Sequence, residues 1–368
     1  DGNRAASSGG GIWSSGFVTL DDCVLSNNEA GDRGGAIRVW GEGDVRTQNG
    51  TLITDNRAGS GGAGVMNESR VTLVQTTVTK NSARTGTGGG IRNEGEAMLM
   101  DSIFTENMAK YGGGMYTTGG RADIVRSTFS NNTASSSGAG IRNASSEVNL
   151  TDSVVSENTA THGGGMYTAA GPVSILRSTF YNNAAEFGGG IRVSTRAETA
   201  YEVTLWNSTL SGNSAGTFGG GLAINDAAVL LIHSTLYGNN APTGSGVYQQ
   251  GAASCEAGYS VIHGGCAAIE DSVFESQGPN GLLILEAEQC LFSGSSGDLA
   301  LTTEEMNLGE LADNGGLAPT HKPNPGSLLI DAVPAEQCGV DVSTDQRGEP
   351  RGVLDACDLG SVEIQPGG

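Results

Sequence analysis

The chain has 368 residues, 60 of them glycine, and sets 40 acidic against 19 basic side chains for a formal net charge of -21. That balance repels phosphate backbones and argues against nucleic-acid binding, while glycines without a strict G-X-Y period exclude collagen. No apolar run reaches the roughly 18 residues of a membrane helix; the longest, residues 227–232, is of strand length, so no transmembrane segment is expected. The first residue is Asp1 rather than Met, and the chain reads as a processed product or a fragment.

From the first residues onward, a triplet of small residues precedes an apolar one: Ile12, Ile37, Val65, Ile91, Met115, Ile141, Met166, Ile191, Leu222 and Val247. Successive spacings are 25, 28, 26, 24, 26, 25, 25, 31 and 25. A second column follows each triplet: Asn28, Asn56, Asn81, Asn107, Asn132, Asn158, Asn183, Asn213 and Asn239. Three residues before it stands an apolar residue, as at Phe104, Phe129, Phe180, Leu210 and Leu236. Each unit reads as short alternating strands, with Ser127 and Phe129 inward and Arg126 and Thr128 outward. One such unit cannot bury its apolar side alone and must stack on its neighbours. The expected fold is therefore all-β, a right-handed parallel β-helix of about eleven or twelve rungs over residues 1–305. Residues 306–368 are expected to form an irregular cap that blunts the end of the solenoid.

This repeat assigns most of the conspicuous residues. The run GGGMYTTGG at residues 112–120 would suit a phosphate cradle only with a helix after it. The triplets recur without a helix, so they read as corners where Cβ is excluded. The asparagine column reads as a stacked amide ladder satisfying turn backbone. Ser102, Ser127, Ser153, Ser178, Ser208 and Ser234 form another inward column, into which Cys23 and Cys290 fall as packed free thiols. Six cysteines allow 15 pairings. The sequence neighbours Cys255–Cys266 and Cys338–Cys357 lie in loop-like segments, so two local disulfides and an oxidising compartment are expected.

Two outward columns carry charge. The residue after each triplet's apolar position runs Arg38, Met66, Arg92, Tyr116, Arg142, Tyr167, Arg192, Ala223, Tyr248. Another runs Asp101, Arg126, Asp152, Arg177, Asn207, His233. Both alternate over two rungs, and residues 88–137 align with 138–187, as a tandem duplication of about 50 residues explains. Alternation avoids stacking like charges about 4.8 Å apart, and Arg over Tyr adds about 0.5–1 kcal/mol per exposed pair. The functional alternative makes Arg92, Tyr116, Arg142, Tyr167 and Arg192 a binding strip for an anionic or sugar polymer.

Catalysis needs converging groups. Glycosidic hydrolysis asks for carboxylates roughly 5–9.5 Å apart, yet Asp21-Asp22, His162 and His263 fall in different columns. For a polysaccharide lyase the nearest arrangement is Asp123 with Arg121 and Arg126. A cleft would be expected beside one of the two longest repeats, near residues 41–50 or 194–202, the latter holding Arg196, Glu198, Tyr201 and Glu202. The balance leans away from an enzyme. No Cys-x-x-Cys or His-x-x-x-His spacing marks a metal site, and no cofactor is called for, although surface calcium is compatible with the acidity.

The triplet-Ile plus F-x-x-N grammar resembles the repeats of polymorphic outer-membrane proteins and related bacterial surface β-helices. The stretches LADNGGLAPTHKPNPGSLLIDA (311–332), DQRGEPRG (345–352) and CDLGSVE (357–363) resemble the closing module of choice-of-anchor Q proteins, with Cys338 and Cys357 at that module's cysteine positions and Ser361 where alanine is usual. The resemblance implies an exported bacterial β-helix and no particular chemistry. The expected function is a secreted or cell-surface structural or adhesive solenoid. Its partner would be itself, assembling head-to-tail or laterally, or a surface polysaccharide. The alternatives are a lyase or hydrolase of acidic polysaccharide, and a non-catalytic carbohydrate-binding protein.

Overall fold

The computed structural model describes the chain except for residues 195–202, 270–271, 277–283, 287–298, 335–337, 339–342, 353–355 and 366–368. Two compact units are present: Asp1–Val173 with Asn182–Glu186, and Ser174–Tyr181 with Phe187–Gly368.

A single rung of the first unit shows how the repeat folds. After the corner at Gly112, Met115–Thr117 forms a strand on a first wall, Arg121–Val125 one on a second, Thr128–Ser130 one on a third and Thr133–Ser137 one on a fourth. The first three strands pair in parallel with their equivalents one repeat before and after, as in Ile91↔Met115↔Ile141 and Phe104↔Phe129↔Val155. The fourth pairs with the preceding repeat and meets the next through single bridges, Thr133↔Thr159 and Ser137↔His162. Alternation does the sorting: Met115, Ala122, Ile124, Phe129 and Ala134 are buried, while Arg121 and Thr133 are exposed. Phe104 and Phe129 stack with ring centroids 4.6 Å apart and planes 3° from parallel, adding about 0.5–1.5 kcal/mol beyond burial.

Three kinds of corner turn the chain. At the triplet, Gly112 adopts φ +66°, and a Cβ on Gly114 would lie 2.7 Å from Gly140 O and 2.8 Å from Phe129 Cδ1. Both left-handed backbone and crowding therefore select glycine there. Between second and third walls the bend is a single non-glycine residue with positive φ: Asp101, Arg126, Asp152, Arg177, Asn207 and His233 all occupy it. Between third and fourth walls the same device recurs at Lys80, Glu106, Asn131, Glu157 and Asn182. Left-handed backbone costs an L-residue about 1–2 kcal/mol, which the rung-to-rung hydrogen bonds at each corner offset, as where Arg126 N donates to Thr151 O at 3.0 Å.

The asparagine column is a directional ladder. Asn107 Nδ2 donates to Asn132 Oδ1 at 3.1 Å and Asn132 Nδ2 to Asn158 Oδ1 at 3.0 Å. Each amide also donates to a third-wall carbonyl of the preceding repeat, Asn132 to Phe104 O at 2.9 Å. The same pattern runs from Asn28 through Asn56 and Asn81 in the first unit and joins Asn213 to Asn239 in the second. Asn3, which lies outside the triplet spacing, extends it by donating to Asn28 Oδ1 at 2.9 Å. The serine column is bonded likewise, Ser102 N to Ser127 Oγ and Ser127 N to Ser153 Oγ. A further inward ladder on the first wall, Asn67 to Asn93 at 2.7 Å and Asn93 to Thr117 at 3.2 Å, escaped the sequence reading because its members vary in type.

The cysteines require one correction. Cys338 and Cys357 are bonded, but Cys255 and Cys266 do not pair: Cys255 is a buried thiol outside any disulfide and Cys266 is disulfide-bonded elsewhere. Eleven residues of sequence separation span a change of wall. Cys255 points inward from the second-wall strand Ser254–Gly258, in register with Val229, while Cys266 opens the first-wall strand Cys266–Ile269. Burial, with the Glu256 charge adding, pushes the Cys255 thiol up to about 12, so it is inert at neutral pH. Cys23 is a half-buried free thiol whose Sγ approaches Asp21 O at 3.2 Å, as a serine hydroxyl does elsewhere in the column. Cys290 and residues 195–202, which hold Arg196, Glu198, Tyr201 and Glu202 of the expected 194–202 insertion, lie outside the described residues.

In the second unit, the segment after the short helix Thr303–Met306 adds two antiparallel pairs, Leu308–Ala312 with Thr320–Pro323 and Val333–Pro334 with Ala356–Cys357. Met306, Leu329, Val333, Cys357 and Leu359 pack with Val261 of the third wall. The described part of this segment is a clasp laid along the flank of that wall.

Candidate functional site

The Arg/Tyr column projects outward from the first wall with every member in register: Arg92↔Tyr116↔Arg142↔Tyr167. The Arg92 guanidinium lies 5.7 Å from the Tyr116 ring and that of Arg142 lies 4.1 Å from Tyr167. In the second unit Arg192 lies against the contacting rings of Phe187 and Phe218, 5.4 and 5.5 Å from their centroids. Neither phenylalanine belongs to the column, so spacing alone did not reveal this pair. Arg92 also pairs with Glu94 two residues on. Arg38 pairs with Glu68 at 2.9 Å. Arg142 differs: among the described residues no carboxylate reaches it, and its one hydrogen bond is Nη1 to Asn143 O at 2.8 Å. Burial holds the Arg142 guanidinium below its ordinary value, and the Tyr167, Tyr116 and Tyr111 phenols oppose that shift.

The charged corner is an ion ladder. Arg126 grips Asp101 with two bonds of 2.7 and 2.8 Å, and the hydrogen bond to Arg126 keeps the Asp101 carboxyl below the usual range. Arg126 is thereby withheld from Asp123, which instead takes Arg121 at 2.8 Å and Asn149 at 2.9 Å. The lyase-like trio of Asp123, Arg121 and Arg126 is therefore not assembled. Asp21 is occupied by Gln48 and Asn49, His263 contacts Tyr237 and Thr303, and His162 lies beside Tyr167. Among the described residues no three His, Cys, Asp or Glu side chains gather as a metal site. A shallow basin of about 550 Å³ on the fourth wall, lined by Asp55, Arg57, Lys80, Arg84 and Glu106, carries charge of both signs.

The motif-rich closing segment has a mechanical job. Its target is a stripe of outward third-wall threonines, Thr179, Thr209 and Thr235, all buried under it. Gln346 bridges two of them, donating to Thr179 Oγ1 at 2.7 Å and accepting from Thr209 Oγ1 at 2.6 Å. Ser361 N donates to Thr235 Oγ1 at 3.0 Å. Gly360, at φ +87°, permits this approach, since a Cβ there would meet Thr235 Oγ1 at 2.7 Å. Arg351 reaches the corner column, donating to Asn207 Oδ1 at 2.8 Å, and Asn207 Nδ2 donates to Thr344 O at 2.7 Å. The change from Asp101, Arg126, Asp152 and Arg177 to Asn207 and His233 thus falls where the clasp covers the corner and burial penalises unpaired charge.

The clasp interior is rich in titratable groups. Asp345 accepts from the backbone N–H groups of Arg347, Glu349 and Glu363. Burial, reinforced by Asp358, raises Glu363 from an ordinary 4.5 to about 7 against the pull of backbone N–H groups and Arg351. Burial raises Asp358 as well. Burial and the Arg351 charge hold His233 well below its ordinary 6.5. From pH 4.5 to 7 the folded chain retains a Glu363 proton that the unfolded chain has released, so rising pH removes stability across that window. Below 6.5 the unfolded chain takes up a His233 proton that the folded one refuses, so falling pH removes stability there. The melting temperature of the second unit should peak near about pH 6. Glu363→Gln should flatten the alkaline limb alone, as a pH series of thermal melts would reveal.

Parallel rungs, stacked amide ladders and glycine corners define the class: the chain is a right-handed parallel β-helix. A family model described as right handed beta helix region matches residues 112–261. No curated protein and no solved structure matches the chain.

Proposed function

We propose that the protein is an exported, surface-exposed structural solenoid with an adhesive role, its β-helix over residues 1–305 secured by a closing module at 306–368. The observation carrying this reading is the set of rung-to-rung ion pairs on the outer walls of the first unit, Arg126 with Asp101, Arg121 with Glu147 and Arg70 with Glu96. Such ladders stiffen a wall while each exposed pair contributes little individually. The Cys338–Cys357 disulfide supports an oxidising compartment, and the closing-module resemblance supports bacterial export. Stacked parallel strands also provide a route to self-association, head-to-tail or lateral. Electron microscopy of the purified chain tests the assembly part: ordered fibres are expected, and monodisperse particles at every concentration would overturn it.

Arg142 favours a second reading, in which the Arg/Tyr strip holds a polymer bearing anionic groups. Its half-buried guanidinium among three phenols has donors to spare and no carboxylate partner among the described residues.

A further inference from the structure

Among the described residues, three aromatic side chains stand exposed, and all belong to the first two rungs: Trp13 at 60%, Phe17 at 64% and Trp40 at 45%. The other described rings are inside the coil, as at Phe104, Phe129 and Phe180, or half-buried. Clustered exposure of the largest apolar side chains is unfavourable in water and marks an interaction surface.

The local fold builds this cluster. Trp13 is the outward residue of the first-wall strand Ile12–Ser14, and Phe17 opens the second-wall strand Phe17–Asp21. A tight turn separates them, closed by Ser14 Oγ donating to Gly16 O at 3.0 Å. One rung on, four residues separate the strands Ile37–Val39 and Asp44–Gln48, where two separate Val65–Asn67 from Arg70–Val74. The longer turn starts with Trp40, whose carbonyl accepts from Gly43 N at 3.0 Å. The lengthened repeat, which the sequence marked as a place to look for a site, thus serves to project an indole.

The rings are oriented and backed. Trp13 and Trp40 have centroids 6.0 Å apart and planes inclined by 45°, an open V. Arg38 lies 5.7 Å from the Trp13 ring and is held by Glu68 at 2.9 Å and Ser8 at 2.8 Å. Arg46 lies 5.2 Å from the Phe17 ring and is held by Asp44 at 3.0 Å. Cation–π contact with cations that are themselves fixed reduces the freedom each ring would lose on binding a ligand.

We propose that Trp13, Trp40 and Phe17 form a binding platform for neutral pyranose units of a polysaccharide. The axial C–H face of a pyranose is apolar and matches an indole face, while its hydroxyl rim needs planar polar groups beside the ring. Asp44, Arg46 and the exposed Glu42 border the lengthened turn. Three rings present far less than the roughly 800 Å² per partner that a stable protein interface uses. The chain's net charge of -21 disfavours a polyanion at a patch bordered by acids. This inference rests only on the adhesive part of the proposed function, and is independent of fibre formation and of the Arg/Tyr strip.

The test is retention of the full chain on insoluble cellulose, chitin and xylan, with alginate as the acidic comparator, and titration with the matching soluble oligosaccharides. Two of the three tryptophans are in the platform, so binding should shift the intrinsic fluorescence to shorter wavelength. Trp13→Ala and Trp40→Ala should each weaken binding about tenfold and the double variant abolish it. Thermal melts should stay unchanged, because exposed rings add little to folding. Arg142→Ala should leave this binding intact. Retention on no neutral polymer, retention on alginate alone, or binding indifferent to both tryptophan substitutions overturns the proposal. A dimer that dissociates on Trp13→Ala would also overturn it, by assigning the patch to a second copy.

Discussion

Asn132→Leu should lower the stability of the first unit by about 3 kcal/mol, one of the largest single effects available in the solenoid. The substitution removes the oxygen that accepts from both Asn107 N at 3.0 Å and Asn107 Nδ2 at 3.1 Å. It also removes the donor to Phe104 O and Asn158 Oδ1. Each buried group left without a partner costs about 1–3 kcal/mol, and the leucine recovers only about 2 kcal/mol through its own burial. The damage should stay local, because each rung bonds only its neighbours. Hydrogen exchange should therefore accelerate first at Asn107 and the adjoining third-wall strand. Thr133→Val, at the exposed next residue, should stay within about 0.5 kcal/mol in the same urea titration. Equal effects of the two would show that the ladder contributes nothing special.

Arg351→Met should cost about 3–5 kcal/mol and release the clasp. The guanidinium is buried and donates to Asn207 Oδ1 at 2.8 Å, Gly360 O at 2.6 Å and Asp358 O at 3.2 Å, with Glu363 Oε2 at 3.5 Å. Burial lowers its own pKa to about 10, so it remains charged at neutral pH. Removing it strands Glu363 beside Asp358 without its cation and leaves three acceptors unmet. Glu363→Gln added to Arg351→Met should recover part of the loss, since a neutral amide tolerates the site better than an unpaired carboxylate. Limited proteolysis after Met306 should report clasp release; an unchanged pattern in Arg351→Met would show that the threonine stripe suffices alone.

Much of this architecture was legible because a solenoid repeats its instructions. Glycine triplets, the asparagine column and the Phe or Leu column recur at nearly fixed spacing, and each column has one steric or hydrogen-bonding reason. The Arg/Tyr column was legible for the same reason, as was its two-rung period. What spacing did not convey was partnership off the column. Phe187 and Phe218 beside Arg192 come from other positions in the rung, and Arg121 takes Asp123 while Arg126 takes Asp101. The Cys255–Cys266 pairing failed because closeness in sequence says little where a corner intervenes. The clasp had a readable trace, the loss of charge at Asn207 and His233. Its meaning required knowing which wall the closing motifs lie against.

The alternating columns also give the wall a parity. Arg92 precedes Tyr116 and Asp101 precedes Arg126, whereas every asparagine in its ladder is interchangeable with the next. Losing the single repeat 112–137 would leave the amide ladder intact yet bring Arg92 onto Arg142 and Asp101 onto Asp152. Losing two consecutive repeats would restore Arg over Tyr and Asp beside Arg. The interior thus permits lengthening by any whole rung, and the exterior permits it only in even steps. The alignment of residues 88–137 with 138–187, a duplication of two rungs rather than one, keeps to that rule.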